Sequence, residues 1–162
     1  MPTRFTVHEV CWQDAATELS SVRERVFVAE QRIPRRVELD GRDTECLHVQ
    51  ATLGDGTIIA AGRMLPNGHI GHIAVLMPYR GMGVGKAVLE KLVDIARQHH
   101  QHQVYLDCEL DSVPFYESQQ FMCSGRVFME SGVPHQRMVR NLGTPHSLNP
   151  SPNTQNTTSR LG

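Results

Sequence analysis

The amino-acid sequence predicts an α/β fold built on a mixed central sheet, and three observations point there. Strand and helix signals alternate in the order β-α-βββ-α-β-α-ββ, the pattern of an α/β chain. Short turn signals at Gly54-Asp55-Gly56 and Asn67-Gly68 join three strands into an antiparallel meander. A long helical segment separates the His69–Leu76 strand from the Val104–Cys108 strand. Such a crossover makes those two strands parallel and is itself right-handed.

The elements follow in order. Phe5 to Val10 alternates as a strand, with Phe5 and Val7 on one face. Asp14 is placed to cap a helix reaching about Glu30, whose Ala15, Leu19, Val22 and Val26 recur at helical spacing. Ile33-Pro34 stops it, because a residue before proline disfavours the helical region. Glu38 to Glu45 reads as a polar loop, and Leu47–Leu53, Thr57–Met64 and His69–Leu76 form the meander. Arg80 to Gly85 is a glycine-rich turn that opens a helix with Val84, Val88, Leu92, Ile95 and Ala96 on one face. After the Val104–Cys108 strand, Pro114 to Gln119 forms a short helix with proline in its first turn. Phe121–Phe128 and Gln136–Leu142 close the fold as a hairpin.

The 162 residues suffice for one domain, placed at 1–142. Residues 143–162 are rich in Pro, Asn, Ser and Thr, with Leu148 and Leu161 the only large apolar side chains. They bury too little apolar surface to offset the entropy of ordering, and read as a flexible polar tail. Sixteen basic against 17 acidic residues give a net charge of -1. That balance argues against nucleic acid or an anionic membrane as partner. Apolar runs such as Ile73–Met77 fall far short of the roughly 20 residues that span a bilayer. No apolar leader follows Met1, and Cys11, Cys46, Cys108 and Cys123 form no C-x-x-C pair. Both features fit reduced thiols in a cytoplasmic protein.

The stretch that carries chemistry is Ile73-Ala-Val-Leu-Met-Pro-Tyr-Arg-Gly-Met-Gly-Val-Gly-Lys86. A buried apolar strand runs into a turn with glycines at 81, 83 and 85, and the turn opens a helix. Glycine lets successive N–H groups point into one concavity, and a helix N-terminus adds partial positive charge. Such a site suits a diphosphate, with Arg80 and Lys86 as full charges at its rim. A Walker A loop is excluded by spacing and by Ala87 after the lysine. A dinucleotide fingerprint is disfavoured, because G-x-G-x-x-G is absent and hairpins precede the turn. A purely structural glycine turn is the remaining alternative.

Arg80-Gly-Met-Gly-Val-Gly85 resembles the Q/R-x-x-G-x-G/A motif of the GCN5-related N-acetyltransferase (GNAT) superfamily. Leu106-Asp-Cys-Glu-Leu-Asp-Ser-Val-Pro-Phe-Tyr-Glu-Ser-Gln-Gln-Phe121 is similar to the second half of that family's acetyl-CoA domain. Arg23-x-x-Val26-Phe27-x-x-Glu30-Gln31-x-x-Pro34, then Glu38-x-Asp40-x-x-Asp43 and His48, resemble the N-terminal part of its ElaA-like branch. Phe128-Met-Glu-Ser-Gly-Val-Pro-His135 with Met138 resembles that branch's C-terminal hairpin. The likeness covers roughly residues 5–142 in the family's order.

The resemblance implies a GNAT acyl-CoA N-acyltransferase fold and an acetyl-CoA-dependent N-acetyltransferase that uses no metal. The diphosphate of coenzyme A would sit on the amides of Arg80, Gly81, Met82, Gly83, Val84, Gly85 and Lys86. The pantetheine arm would pair with the backbone of Ile73, Ala74 and Val75, which requires that strand and Val104–Cys108 to splay apart. The acetyl group would pass directly to a primary amine of a small molecule or a peptide or protein. Tyr116 stands at the family's position for the acid that protonates the leaving thiolate, and a phenol keeps its proton at neutral pH. Glu38 is the first candidate for the base, with Asp40, Asp43, His72, Glu109 and His135 behind it; the sequence singles none out. A homodimer through exposed strand edges is compatible with the chain. A non-catalytic acyl-CoA sensor is the alternative, and Tyr116 argues against it.

Two positions depart from the family pattern. Gln120 stands where glycine is common after the short helix, so that helix is expected to end differently. Glu109 stands where the branch often carries an amide. His99, His100 and His102 resemble a metal cluster by composition but fall at a helix C-terminus, where imidazolium is favoured. Cys108 reads as a buried filler rather than a reactive thiol, and Trp12 as a packing residue.

Overall fold

The computed structural model describes residues 4–33 and 40–143. Pro34, Glu38 and all of the expected tail after Gly143 lie outside the described residues. The chain begins with strand β1 (Phe5–Val10), helix α1 (Trp12–Arg23) and a π-helix (Glu24–Glu30). A 3-10 turn (Asp43–Glu45) leads into β2 (Leu47–Leu53), β3 (Ile58–Met64) and β4 (Ile70–Val75). A second 3-10 turn (Met77–Tyr79) precedes helix α2 (Val84–Gln98) and β5 (Gln103–Glu109). A third (Leu110–Ser112) runs into helix α3 (Val113–Ser118), and β6 (Met122–Glu130) and β7 (Val133–Asn141) close the chain.

The strands form two antiparallel groups, β1-β2-β3-β4 and β5-β7-β6. They meet at one parallel bridge, His69↔Tyr105, where the Tyr105 N–H donates to the Gly68 carbonyl at 3.0 Å. Past that bridge no ladder joins β4 to β5 among the described residues. The predicted parallel pair is therefore joined only at its start and opens toward its C-terminal ends. Gly68 makes the joint possible: its φ is +92°, and a Cβ there would lie 2.8 Å from the Gln103 carbonyl oxygen.

The helical periodicities are satisfied by burial on opposite faces of the β1–β4 sheet. Ala15, Leu19 and Val22 of α1, with Val26 just beyond it, pack on Ala61, Ala74 and Leu76. Val84, Val88, Leu92, Ile95 and Ala96 of α2 pack on Val49, Ile59 and Met64, and on Val104 and Leu106 of β5. Among the described residues, no helix is long and apolar enough to cross a membrane.

Four local readings change. Asp14 lies inside the first turn of α1 rather than at its cap; Cys11 is the cap residue. The acidic side chain favours the helix dipole from that position equally well. The helix expected to reach Glu30 widens to a π-helix after Arg23, with Gln31 N–H donating to Val26 C=O five residues back. Single extra residues of this kind are typical of functional sites. The closing hairpin turns on two residues, Ser131 (φ +53°) and Gly132 (φ +77°), with Glu130 facing Val133. Pro134 is tolerated because β5 begins to pair with β7 only at His135, so no ladder needs its missing N–H on that side.

The fourth concerns Gln120. It adopts φ +74° and the helix ends as glycine would end it. Gln120 N–H donates to Glu117 C=O and Phe121 N–H to Tyr116 C=O, both at 3.0 Å, the paired bonds of a Schellman motif. A side chain in this left-handed region costs about 1 kcal/mol or more. Gln120→Gly is accordingly expected to raise unfolding stability by about 1 kcal/mol, less glycine's extra chain entropy. Urea denaturation with an unchanged slope checks this.

Candidate active site

The site lies where β4 and β5 diverge. The Leu76 N–H donates to Ile59 of β3 at 3.0 Å. Alternation then turns the amide groups of Val75 away from β3, toward the gap, where its C=O accepts from Arg80 Nε at 2.8 Å, and Ile73 follows the register shift between β3 and β4. Those of Ala74 face β3, and its side chain is buried against α1. The unpaired stretch of β4 at the gap thus runs through Ile73 and the N–H of Val75.

At the gap's rim the glycine turn has the expected form. Gly81 and Gly83 take φ +79° and +83°, and Gly83 is the left-handed residue that starts α2. The first helical amide with a partner is Ala87's, bonded to Gly83 C=O at 3.0 Å. The N–H groups of Val84, Gly85 and Lys86 precede it and have no helical carbonyl to meet. A Cβ at Gly85 would meet only Val75 Cγ2, at an ordinary 3.6 Å. The chain's own packing does not demand glycine there; open space before those donors suits an incoming diphosphate. Lys86 and Met82 are exposed at the rim.

Arg80 is engaged elsewhere. Its Nη1 and Nη2 hold both carboxylate oxygens of Glu30 at 2.6 and 2.8 Å, and its Nε donates to Val75 C=O at 2.8 Å. These hydrogen bonds hold the Glu30 carboxyl below its usual range. The arginine therefore ties the π-helix to the end of β4. Glu30 was visible in the sequence within the resemblance motif, without a role.

A cavity of about 940 Å³ fills the gap. Ile70, Gly71 and Ile73 of β4 form one wall, and Leu106 to Glu109 of β5 another. Phe27, Gln31, Arg32 and Ile33 approach from the π-helix, and Glu130, Ser131, Val133 and His135 from the hairpin tip. Tyr116 enters from α3, its ring edge-on to Phe121 at 5.8 Å. Burial, then the neighbouring Cys108 thiol, pushes its phenol up to about 12. Cys108 is buried, and desolvation, then Cys123, Asp107 and Glu109, push its thiol up to about 11. Burial thus favours the protonated form of both Tyr116 and Cys108.

The base candidates separate. Glu38 lies outside the described residues, as does the side chain of His72. Asp43 is buried beneath β3, bonded by Arg23 Nη1 at 2.7 Å and Arg63 Nη1 at 2.9 Å. Burial opposes its charge, and the two guanidinium groups overcome it, so the carboxyl is held below its usual value. Asp40 takes both Arg63 Nη groups, at 3.0 and 2.5 Å. His48 donates Nε2–H to the Asp43 carbonyl at 2.8 Å and stacks on Trp12, whose ring Arg23 overlies at 5.8 Å. Asp40 and Asp43 are thereby structural ions that anchor the segment before β2. Glu109 and His135 both line the cavity. Among the described residues no group of three or more His, Cys, Asp or Glu could hold a metal ion.

The comparisons agree with this geometry. Residues 15–142 match the family model "Acetyltransferase (GNAT) domain". The chain is 30% identical over 122 residues to the uncharacterized N-acetyltransferase YjcF of Bacillus subtilis (strain 168), covering 74% of this chain and 87% of that one. It is 30% identical over 149 residues to protein ElaA of Escherichia coli (strain K12), covering 81% and 96%. The crystal structure of Escherichia coli ElaA superposes with a TM-score of 0.76 at 26% identity, over 85% of this chain and all of that one. An acyl-CoA N-acyltransferase from Pseudomonas aeruginosa gives 0.70 at 26%, over 85% and 99%. A split sheet, an amide-lined glycine turn and a family match spanning both make the chain an acyltransferase of the GCN5-related N-acetyltransferase superfamily, on its ElaA-like branch.

Proposed function

We propose that the chain transfers the acetyl group of acetyl-CoA directly to a primary amine of a small molecule or a peptide or protein. The observation that carries this is the gap between β4 and β5, with free amide donors at its rim and a protonated phenol at its side. The N–H groups of Gly81 to Lys86 hold the diphosphate and Lys86 adds charge. Ile73 and Val75 pair with the pantetheine amides. Acetyl-CoA supplies a thioester carbonyl that the amine attacks. Tyr116 gives its proton to the departing sulfur. The protonated, buried Cys108 supports transfer without a covalent enzyme intermediate.

A cytoplasmic setting is supported by four free thiols. A homodimer through exposed strand edges is compatible with the chain: β1 and β6 each end one strand group, and Met122 and Met129 of β6 are exposed. Calorimetry with acetyl-CoA, followed by free-thiol release against an amine panel, tests the proposal. Heat of binding and amine-dependent thiol release are expected. Binding without release across the panel would favour a sensor, and no heat at millimolar ligand would remove the reading altogether.

A further inference from the structure

The gap has two faces. Along β5, Val104, Leu106 and Cys108 turn into the α2-side core, so Glu109 turns to the opposite face. Tyr116 packs with the α2-side cluster. His135 of β7 is the direct ladder partner of Glu109 and shares its face. A phenol and an imidazole thus flank one cavity from opposite sides.

The imidazole is fixed in one tautomer. Its Nδ1 lies 2.8 Å from the Val133 carbonyl oxygen. A carbonyl can only accept, so Nδ1 carries the proton and Nε2 keeps its lone pair. Phe128 stacks on the ring at 5.9 Å. The next residue pins the strand: Gln136 Nε2 donates to the carbonyls of Ser124 and Gly125, at 3.1 and 3.2 Å. Those carbonyls belong to the bulge where the register of β6 shifts against β7. None of these contacts uses His135 Nε2. The charged groups on its side of the cavity are Glu109 of β5, Glu130 at the end of β6, and Arg32 from the opposing wall. Asp107, farther along β5, is ion-paired with Arg137.

We propose that His135 is the residue that takes the proton from the acceptor amine; the proposal rests on the acetyl-transfer reading above. Its Nε2 removes one proton from the ammonium form. The neutral nitrogen bonds to the thioester carbonyl carbon, the C–S bond breaks with its electron pair on sulfur, and Tyr116 protonates that sulfur. The second nitrogen proton returns through water to the phenolate, and the imidazolium releases its own to solvent. An imidazole is matched to this task near neutral pH, where an exposed carboxylate is a weak base.

His135→Gln in the full chain tests the assignment by thiol release. The protonated acceptors are 1,5-diaminopentane, 2-phenylethylamine and Nα-acetyllysine amide, and methoxyamine is an acceptor already neutral at neutral pH. For the best protonated acceptor kcat/KM is expected to fall about 100-fold, while the rate with methoxyamine and the heat of acetyl-CoA binding hold. Equal losses with both kinds of acceptor would overturn the assignment. His135→Asn serves the same comparison if the Gln variant does not fold. In the unmodified protein, rate is expected to fall on the acid side with the protonated acceptor and to stay level there with methoxyamine; a fall with both overturns it. An unmodified protein that neither binds acetyl-CoA nor releases thiol would instead remove the acetyl-transfer reading.

Discussion

Tyr116→Phe is expected to lower kcat about 100-fold or more, the usual contribution of a positioned proton donor, while acetyl-CoA affinity stays nearly level. The substitution removes one oxygen and leaves the ring against Phe121 and the α2-side core. Steady-state kinetics beside calorimetry separate the two effects. A matching loss of binding would reduce Tyr116 to a packing residue. The pH dependence follows from the direction of its shift. A donor works while protonated, so activity is lost as pH rises through its pKa. Burial has moved that point from the ordinary phenol value, about 10, to about 12. The alkaline decline of kcat is therefore expected well above the range of an exposed tyrosine.

Asp43→Ala is expected to cost about 3 kcal/mol, the lower end for breaking a buried ion pair, because Arg23 and Arg63 lose the carboxylate buried between them while Arg63 keeps Asp40. A domain of this size holds only about 5–15 kcal/mol in total, so the variant should sit near its unfolding threshold. Chemical denaturation checks the magnitude. The same carboxylate sets a pH trend. Its folded-state value is depressed, so its contribution is complete above the unfolded value, about 3.9, and is lost as pH falls through the folded one. Unfolding midpoints measured from neutral pH downward should show that loss, and Asp43→Ala should lack it.

The helices and strands were legible because burial in them is periodic. Every apolar position read on the two long helices, from Ala15 to Val26 and from Val84 to Ala96, is buried. The glycine turn was legible because its φ values admit little else. What the sequence hid depends on pairing at a distance. Asp40 and Asp43 look like free carboxylates until Arg63 arrives from 20 or more positions away. Arg80 looks like an anion ligand until Glu30 claims it across 50 positions. The hairpin tip was legible in principle, since Ser-Gly is a turn dipeptide. Pro134, without an N–H to give a ladder, marks no strand there by itself. Gln120 hides its role because statistics for left-handed residues say what is comfortable, whereas two Schellman bonds decide what is occupied.

The opening between β4 and β5 begins at the bridge beside Gly68. At Gly68 any larger residue would push against the Gln103 carbonyl and strain the bridge between the two half-sheets, the one β-bridge between them among the described residues. The spacing of β4 and β5 is therefore a property of this hinge as much as of the side chains that line the opening.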